Sequence, residues 1–321
     1  MHVLTHDVLK GLVNPAAFDA YLEDSLRTYE ASRVVQPTRN VVRLGESAVW
    51  LIMPVIDLSS NTMVVKMVSE YKDNPVKGLP KATGLTQLIE ASTGRLLALI
   101  DSHYITGLRT SSLAGIATKI LSREDSERLG VIGSGYEAKL IVDAVLRVRP
   151  GITKIHVYSR NKERREKFAS YYSDHYDAQA APDPNPIVAN SDILVVATDS
   201  ATPVLSGSAV KRGAHIVSIG TLPERRELDR ETIARCSLLV ADNVEGVLRE
   251  AGDVIDALNA GLISAERVVE LVDIVKGRLK VERRYGDITI YKSVGFGYLD
   301  VVAARYVYEA YLKSHKANPN S

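Results

Sequence analysis

The stretch Arg128-Leu-Gly-Val-Ile-Gly133-Ser134-Gly135-Tyr136-Glu137-Ala138 decides how this chain is read. A short apolar run ends in Gly-x-Gly-x-x-Ala and leads into a segment with helical apolar spacing. Gly133 permits a tight turn, Gly135 lets backbone approach an anion, and Ala138 lets a helix pack closely on a strand. A helix opening here aims its first N–H groups outward, where its dipole favours negative charge. The pattern points to a dinucleotide pyrophosphate held by Gly133, Ser134, Gly135, Tyr136 and Glu137.

Downstream, short apolar strands at 129–133, 154–158, 192–198, 215–220 and 238–242 alternate with helical or loop segments, among them 137–148 and 162–172. Such alternation predicts a parallel sheet with crossovers, a doubly wound domain of roughly 170 residues. Upstream the rhythm differs. Residues 7–32 read as helices, with Asn14-Pro15 as a start signal. Strands follow at 39–44, 48–54, 63–68, 84–90 and 96–101, with turns at 45–46, 59–61, 73–80 and 92–94. Consecutive strands on short turns predict a mostly antiparallel sheet. Residues 106–121 turn helical and rich in small side chains. Near the end, 288–291 reads as a strand and 300–312 as a helix that leaves the nucleotide domain to pack on the N-terminal one. The tail from 314 to 321 is expected to fray.

Composition narrows the function classes. Forty basic and 39 acidic residues leave a net charge of +1, which favours neither nucleic acid nor an anionic membrane. The single cysteine, Cys236, excludes an intrachain disulfide and a cysteine-based metal site. The seven histidines show no metal-ligand spacing, so no metal is expected. No membrane span or signal peptide is expected either, and the cytoplasm is the default setting.

The second strand of the alternating region identifies the dinucleotide. In NAD-binding folds an acidic residue at its tip takes the ribose 2′-hydroxyl. Here the tip is Ser159-Arg160-Asn161-Lys162, with no carboxylate. A hydroxyl and two cations suit a 2′-phosphate, so NADP(H) is preferred, with NAD(H) possible. Otherwise Arg160 and Lys162 simply begin a solvated helix.

Other segments match one family. They are Val35-Gln36-Pro37-Thr38-Arg39, Met53-Pro54, Val65-Lys66-Met67-Val68, Gly78-Leu79-Pro80 and Thr93-Gly94-Arg95, then Ile105-Thr106-Gly107-Leu108-Arg109-Thr110. Further on come Arg226-Glu227-Leu228-Asp229, Glu250-Ala251-Gly252-Asp253 and Lys292-Ser293-Val294-Gly295. Together they resemble the ornithine cyclodeaminase / mu-crystallin family, over nearly the whole chain. The resemblance implies an α/β fold: a Rossmann-type doubly wound parallel sheet inserted in a discontinuous α+β substrate and dimerisation domain. The expected boundaries are 1–115 for the N-terminal substrate part, 116–292 for the NAD(P)-binding domain, and 293–321 for the returning helix. It also implies a homodimer, and an active site in an interdomain cleft where nicotinamide faces a small amino or imino acid.

The reaction shared across that family is hydride transfer at a carbon bearing both nitrogen and a carboxylate. The carboxylate needs a cationic clamp. The resemblance puts Arg39, Lys66 and Arg109 there, with Lys66 and Arg109 as catalytic residues and Arg43 as the competitor of Arg39. Lys66 completes the clamp or, with a lowered pKa, moves a proton to the nitrogen. Lys81 is a further substrate candidate. Thr110, Thr198, Asp199 and Ser293 are cofactor candidates, although Thr198 reads equally well as a helix cap. Each of these charges has a bland alternative as a solvated side chain.

One departure matters. Cyclodeaminases and many alanine dehydrogenases of the family carry a catalytic Asp just after the glycine equivalent to Gly220. This chain has Thr221-Leu222, with Glu224 as the nearest carboxylate in sequence. Cyclodeamination needs a base, whereas reducing a preformed imine needs a clamp, a hydride and one proton. The reading is therefore reduction of a cyclic or linear ketimine such as pyrroline- or piperideine-2-carboxylate. An alanine-type dehydrogenase, a cyclodeaminase and a non-catalytic binder follow in that order.

Overall fold

The computed structural model describes residues 1–317. It contains two compact units, Met1–Arg109 with Gly297–Ser321, and Thr110–Phe296. The sequence reading put the breaks after residues 115 and 292. The first observed break falls inside a continuous helix, where no turn residue marks it.

The first unit opens with β1 (His2–Leu4), α1 (His6–Leu12) and α2 (Pro15–Thr28). The Asn14 side chain caps α2, accepting the Ala17 N–H at 3.1 Å, as the Asn14-Pro15 pair predicts. Then come β2 (Val34–Val35), β3 (Asn40–Leu44), β4 (Ala48–Asp57), β5 (Thr62–Tyr71), β6 (Ala82–Glu90) and β7 (Leu96–Asp101). The sheet runs β1-β7-β6-β5-β4-β2, with β3 also on β4. Its pairs are antiparallel except β1 on β7. The sequence reading missed β1, which is too short to show an alternating pattern.

The chain then enters α3 (Ser102–Leu121), which begins earlier than the expected residue 106. Nearly every side of it is buried, so its sequence carries little amphipathic signal.

The second unit alternates as predicted: β8 (Arg128–Ile132), α4 (Tyr136–Val148), β9 (Lys154–Tyr158), α5 (Lys162–Tyr172), β10 (Asp177–Ala180), α6 (Asn185–Asn190), β11 (Ile193–Val196) and β12 (His215–Ser218). After these come α7 (Arg230–Arg235), β13 (Leu238–Ala241), α8 (Val244–Glu250), α9 (Gly252–Asn259), β14 (Val268–Glu270), α10 (Leu271–Val275) and β15 (Thr289–Lys292). The eight strands are parallel, in the order β10-β9-β8-β11-β12-β15-β13-β14. The inner strands β11 and β12 are buried along their whole length. That is why they read as continuous apolar runs. The two unforeseen strands, β10 and β14, are the sheet's edges, where burial demands less apolar sequence. The topological switch lies at β8, which pairs with β9 on one side and β11 on the other. Ligands of open α/β sheets bind at the carboxyl ends of such strands.

The last helix, α11 (Tyr298–Ala317), belongs to the first unit. Tyr306 packs on Phe18 of α2 with ring centroids 5.1 Å apart, and the Tyr298 hydroxyl donates to the Ser25 carbonyl at 3.2 Å. Residues 314–317, expected to fray, lie within this helix. The rest of that expected tail, 318–321, lies outside the described residues. Among the described residues, no helix is long and apolar enough to cross a membrane, and no group of three or more His, Cys, Asp or Glu is placed to hold a metal.

Candidate functional site

Two constellations of candidate residues stand out, one in each unit. In the second unit, the chain turns sharply after β8. Gly133 has φ +114°, and a Cβ there would lie 2.2 Å from the Ala197 carbonyl oxygen. Only glycine satisfies both demands. The Gly133 N–H donates to the Tyr158 carbonyl at 2.8 Å, tying the turn to the end of β9. Gly135 is the N-cap of α4, and no side chain caps that helix. A Cβ on Gly135 would meet nothing within 4 Å, so the backbone is open to close approach. Ala138 is fully buried against the sheet. The turn is therefore a cradle suited to a pyrophosphate, with the amino end of α4 facing it.

The tip of β9 is wired to that turn. The Ser134 hydroxyl donates to Ser159 Oγ at 2.8 Å, and Ser159 Oγ donates to the Asn161 carbonyl at 3.2 Å. The Asn161 side chain caps α5 by accepting the Arg164 N–H at 2.9 Å. Arg160 is exposed, and Lys162 lies 3.8 Å from Glu166 on the outer face of α5. Arg165 reaches back to donate to the Ser159 carbonyl at 2.9 Å. The tip thus presents hydroxyls and guanidinium groups and no carboxylate.

In the first unit, three charged side chains meet in the interior. Lys66 on β5 is 2% exposed, Arg109 on α3 is 7% exposed, and Asp300 on α11 is 2% exposed. Lys66 Nζ lies 2.7 Å from Asp300 Oδ2, and Arg109 Nε donates to Asp300 Oδ1 at 3.2 Å. Thus one carboxylate serves two buried cations. Burial pushes the Lys66 ammonium down to about 8. Asp300 opposes that fall, while the positive charges of Arg109 and Arg39 add to it. Burial alone would raise the Asp300 carboxyl, but Lys66 and Arg109 outweigh it and hold it below its ordinary range. Both partners shift down: for Lys66 burial outweighs its one anion, and for Asp300 two cations outweigh burial. The half-buried Arg39, just before β3, acts on Lys66; its competitor Arg43 is exposed on β3. The cluster carries excess positive charge in a desolvated place.

The sequence reading missed Asp300. The signal was available: Lys66 occupies the buried parity of β5, shared with Thr62 and Val64. A lysine at that parity needs a partner. Asp300 interrupts an otherwise apolar run in α11.

The remaining candidates fall elsewhere. Lys81 precedes β6, and its carbonyl accepts the Tyr71 N–H, while Lys66 faces Thr86 in the middle of that strand. Thr110 is buried on α3 beside Arg109. Ser293 is buried, and its hydroxyl donates to Asp242 at 2.7 Å. Asp199 lies 3.4 Å from Arg225. Thr198 caps no helix: its N–H donates to Glu227 Oε1 at 2.5 Å, and its hydroxyl donates to the same oxygen at 3.1 Å.

Just after Gly220, where the expected Asp is absent, Thr221 is half-buried, and the Leu222 side chain is buried with a backbone φ of +85°. Glu224, nearest in sequence, is exposed. The carboxylate that reaches Gly220 in space is Glu227, whose Oε2 accepts the Gly220 N–H at 2.7 Å. Sequence distance could not show this, because the chain doubles back between the two residues.

The whole chain is similar to known proteins. The model of the ornithine cyclodeaminase/mu-crystallin family matches residues 2–315. A Delta(1)-pyrroline-2-carboxylate reductase of Bacillus cereus is 32% identical over 323 residues, covering 99% of each chain. The structure of Thermococcus litoralis Delta(1)-pyrroline-2-carboxylate reductase, in complex with NADH and L-proline, superposes with a TM-score of 0.93 at 34% identity, covering 98% of each chain. An archaeal alanine dehydrogenase dimer with bound NAD superposes with a TM-score of 0.89 at 29% identity, covering 98% of this chain and 96% of that one.

Proposed function

The chain belongs to the ornithine cyclodeaminase/mu-crystallin family, and from that premise we propose that it is an NAD(P)H-dependent reductase of small α-imino acids, with cyclic ketimines such as pyrroline-2-carboxylate as the leading substrates. The observation that carries this reading is the buried Lys66–Asp300–Arg109 cluster. It offers two cations to one internal carboxylate, and a substrate carboxylate would supply the missing negative charge.

In this mechanism Arg109 and Arg39 hold the substrate carboxylate, as guanidinium groups do best through paired N–H bonds. Lys66, pushed down to about 8, is protonated at neutral pH yet gives its proton up readily. It protonates the imine nitrogen, which makes the C=N carbon electrophilic. When bound, the nicotinamide cofactor supplies a hydride to that carbon. The C=N bond becomes CH–NH, one proton and one hydride being consumed. Asp300 keeps Lys66 charged until the proton leaves. No general base is required, in keeping with Thr221-Leu222 in the stretch where cyclodeaminases carry Asp.

The cradle at Gly133–Gly135 would hold the pyrophosphate, with the amino end of α4 beside it. The carboxylate-free tip at Ser159, Arg160, Asn161 and Lys162 favours NADP(H), with NAD(H) as the second cofactor. Thr110, Thr198, Asp199 and Ser293 remain cofactor candidates, and Lys81 a substrate candidate. We take the protein to be a cytoplasmic homodimer. The dimeric alanine dehydrogenase relative supports that state, as do the exposed apolar side chains Val41, Val42, Leu44 and Trp50 on β3 and β4.

A substrate panel tests the reading. Purified protein with NADPH or NADH is offered pyrroline-2-carboxylate, piperideine-2-carboxylate, pyruvate with ammonia, and ornithine. Loss of nicotinamide absorbance with the cyclic imines is expected. Turnover confined to pyruvate with ammonia would overturn the proposal in favour of an alanine-type dehydrogenase. Ammonia and proline formed from ornithine without added cofactor would point to a cyclodeaminase.

A further inference from the structure

Glu227 is fully buried in the second unit, and neither the hydride nor the proton transfer uses it. Its two oxygens accept four bonds. Oε1 takes the Thr198 N–H and hydroxyl, while Oε2 takes the Ser218 hydroxyl and the Gly220 N–H, both at 2.7 Å. These donors stand at or just past the carboxyl ends of β11 and β12, two neighbouring strands. Behind them, Lys292 Nζ donates to Ser218 Oγ at 2.8 Å and to Asp253 Oδ2 at 2.7 Å, and lies 4.0 Å from Glu227. Burial pushes the Glu227 carboxyl up, and Lys292 and the donors oppose that rise. With four donors on two oxygens, the carboxylate has no lone pair left to act as a base.

The connection to the nucleotide turn is direct. A Cβ at Gly133 would meet the Ala197 carbonyl at 2.2 Å and Thr198 Cγ2 at 3.5 Å. The wall on which the glycine turn rests is therefore the segment that Glu227 pins. Gly220 must lack a side chain for the same reason, since a Cβ there would fall 2.7 Å from Glu227 Cγ.

We infer that Glu227 is a positioning residue for the dinucleotide site. It holds Thr198 and Gly220 in one register, so that the ends of β8, β11 and β12 present a single preformed rim to the cofactor. This rests on the dinucleotide reading of the Gly133–Gly135 turn. It does not depend on which imino acid is the substrate.

The test is Glu227→Gln, which keeps the shape but turns an amide N–H₂ toward groups that are themselves donors. NADH and NADPH affinities of the full-length protein are measured by calorimetry, alongside the thermal midpoint. About a tenfold loss of affinity for both dinucleotides is expected, with the NADPH/NADH ratio unchanged, because the rim and not the 2′-position is disturbed. Ser218→Ala, which removes one donor and is the milder change, is expected to weaken both about threefold. A lowered midpoint with parental affinities in both variants would make Glu227 merely structural and overturn the inference. Parent protein that binds neither dinucleotide would overturn the underlying reading as well. Parent protein that binds them but reduces no imine leaves the proposed function refuted and the inference standing on the variants' affinities.

Discussion

Replacing Asp300 with Asn tests how the buried cluster works. Asp300 lies 2.7 Å from Lys66 Nζ and 3.2 Å from Arg109 Nε, and all three side chains are buried. An opposite charge at this range holds a pKa by about 1–3 units toward the charged form. Lys66, now at about 8, would fall by that much in Asp300→Asn. For a fall of about two units, the protonated fraction at pH 7.5 drops from about three-quarters to about 3%, a loss of about 25-fold in the form that protonates the imine. The parent's reductive kcat is expected to decline as pH rises through about 8, because the acid is then lost. In the variant this limb moves to lower pH, and much of the activity returns near pH 6. The KM for the imino acid should rise little, since Arg109 and Arg39, which hold its carboxylate, both stay charged. Steady-state loss of nicotinamide absorbance with pyrroline-2-carboxylate, from pH 5.5 to 9, gives both parameters. An alkaline limb that stays put in Asp300→Asn would refute the assignment of Lys66 as the acid. Loss of the carboxylate also leaves two buried cations unpaired, a cost of about 3–5 kcal/mol that lysine deprotonation would partly relieve.

Two further outcomes are expected. Arg160→Asp should weaken NADPH much more than NADH, and equal losses in binding titrations would sink the 2′-phosphate role of the β9 tip. Fully buried His215 bonds Thr289 Oγ1 at 2.9 Å, and it is pushed down to about 3 by burial and by the charges of Arg283 and Arg149. Between about 6.5 and 3 the unfolded chain binds a proton that the folded one refuses, so stability falls with falling pH at about 1.4 kcal/mol per unit. His215→Gln should flatten that part of the denaturation profile, and an unchanged slope would show that other groups dominate.

Much of the architecture was legible in the chain because its signals are local. The apolar run into Gly133-Ser134-Gly135 marked a strand, a turn and a helix, and each is in place. β7, β9 and α5 begin and end where the pattern put them. The errors fall where local pattern is weak. β1, β10 and β14 are short edge strands with little to bury. α3 is buried on nearly all sides, so it shows no stripe to mark its start.

The site divides along the same line. Sequence by itself determined the Gly133–Gly135 turn, because tight backbone geometry demands glycine at a particular spacing. It also determined that Lys66 and Arg109 belong together, through family resemblance. Tertiary structure alone decided what those cations face. Asp300 comes from a helix 191 residues beyond Arg109, and only folding brings its carboxylate into the space that two buried charges require. Glu227 is a parallel case, since its oxygens meet donors from two strand ends that the chain visits at different times. Local geometry is encoded in neighbouring residues and can be read there. Charge compensation in a desolvated interior is a long-range constraint, and it becomes visible only when the chain has closed on itself.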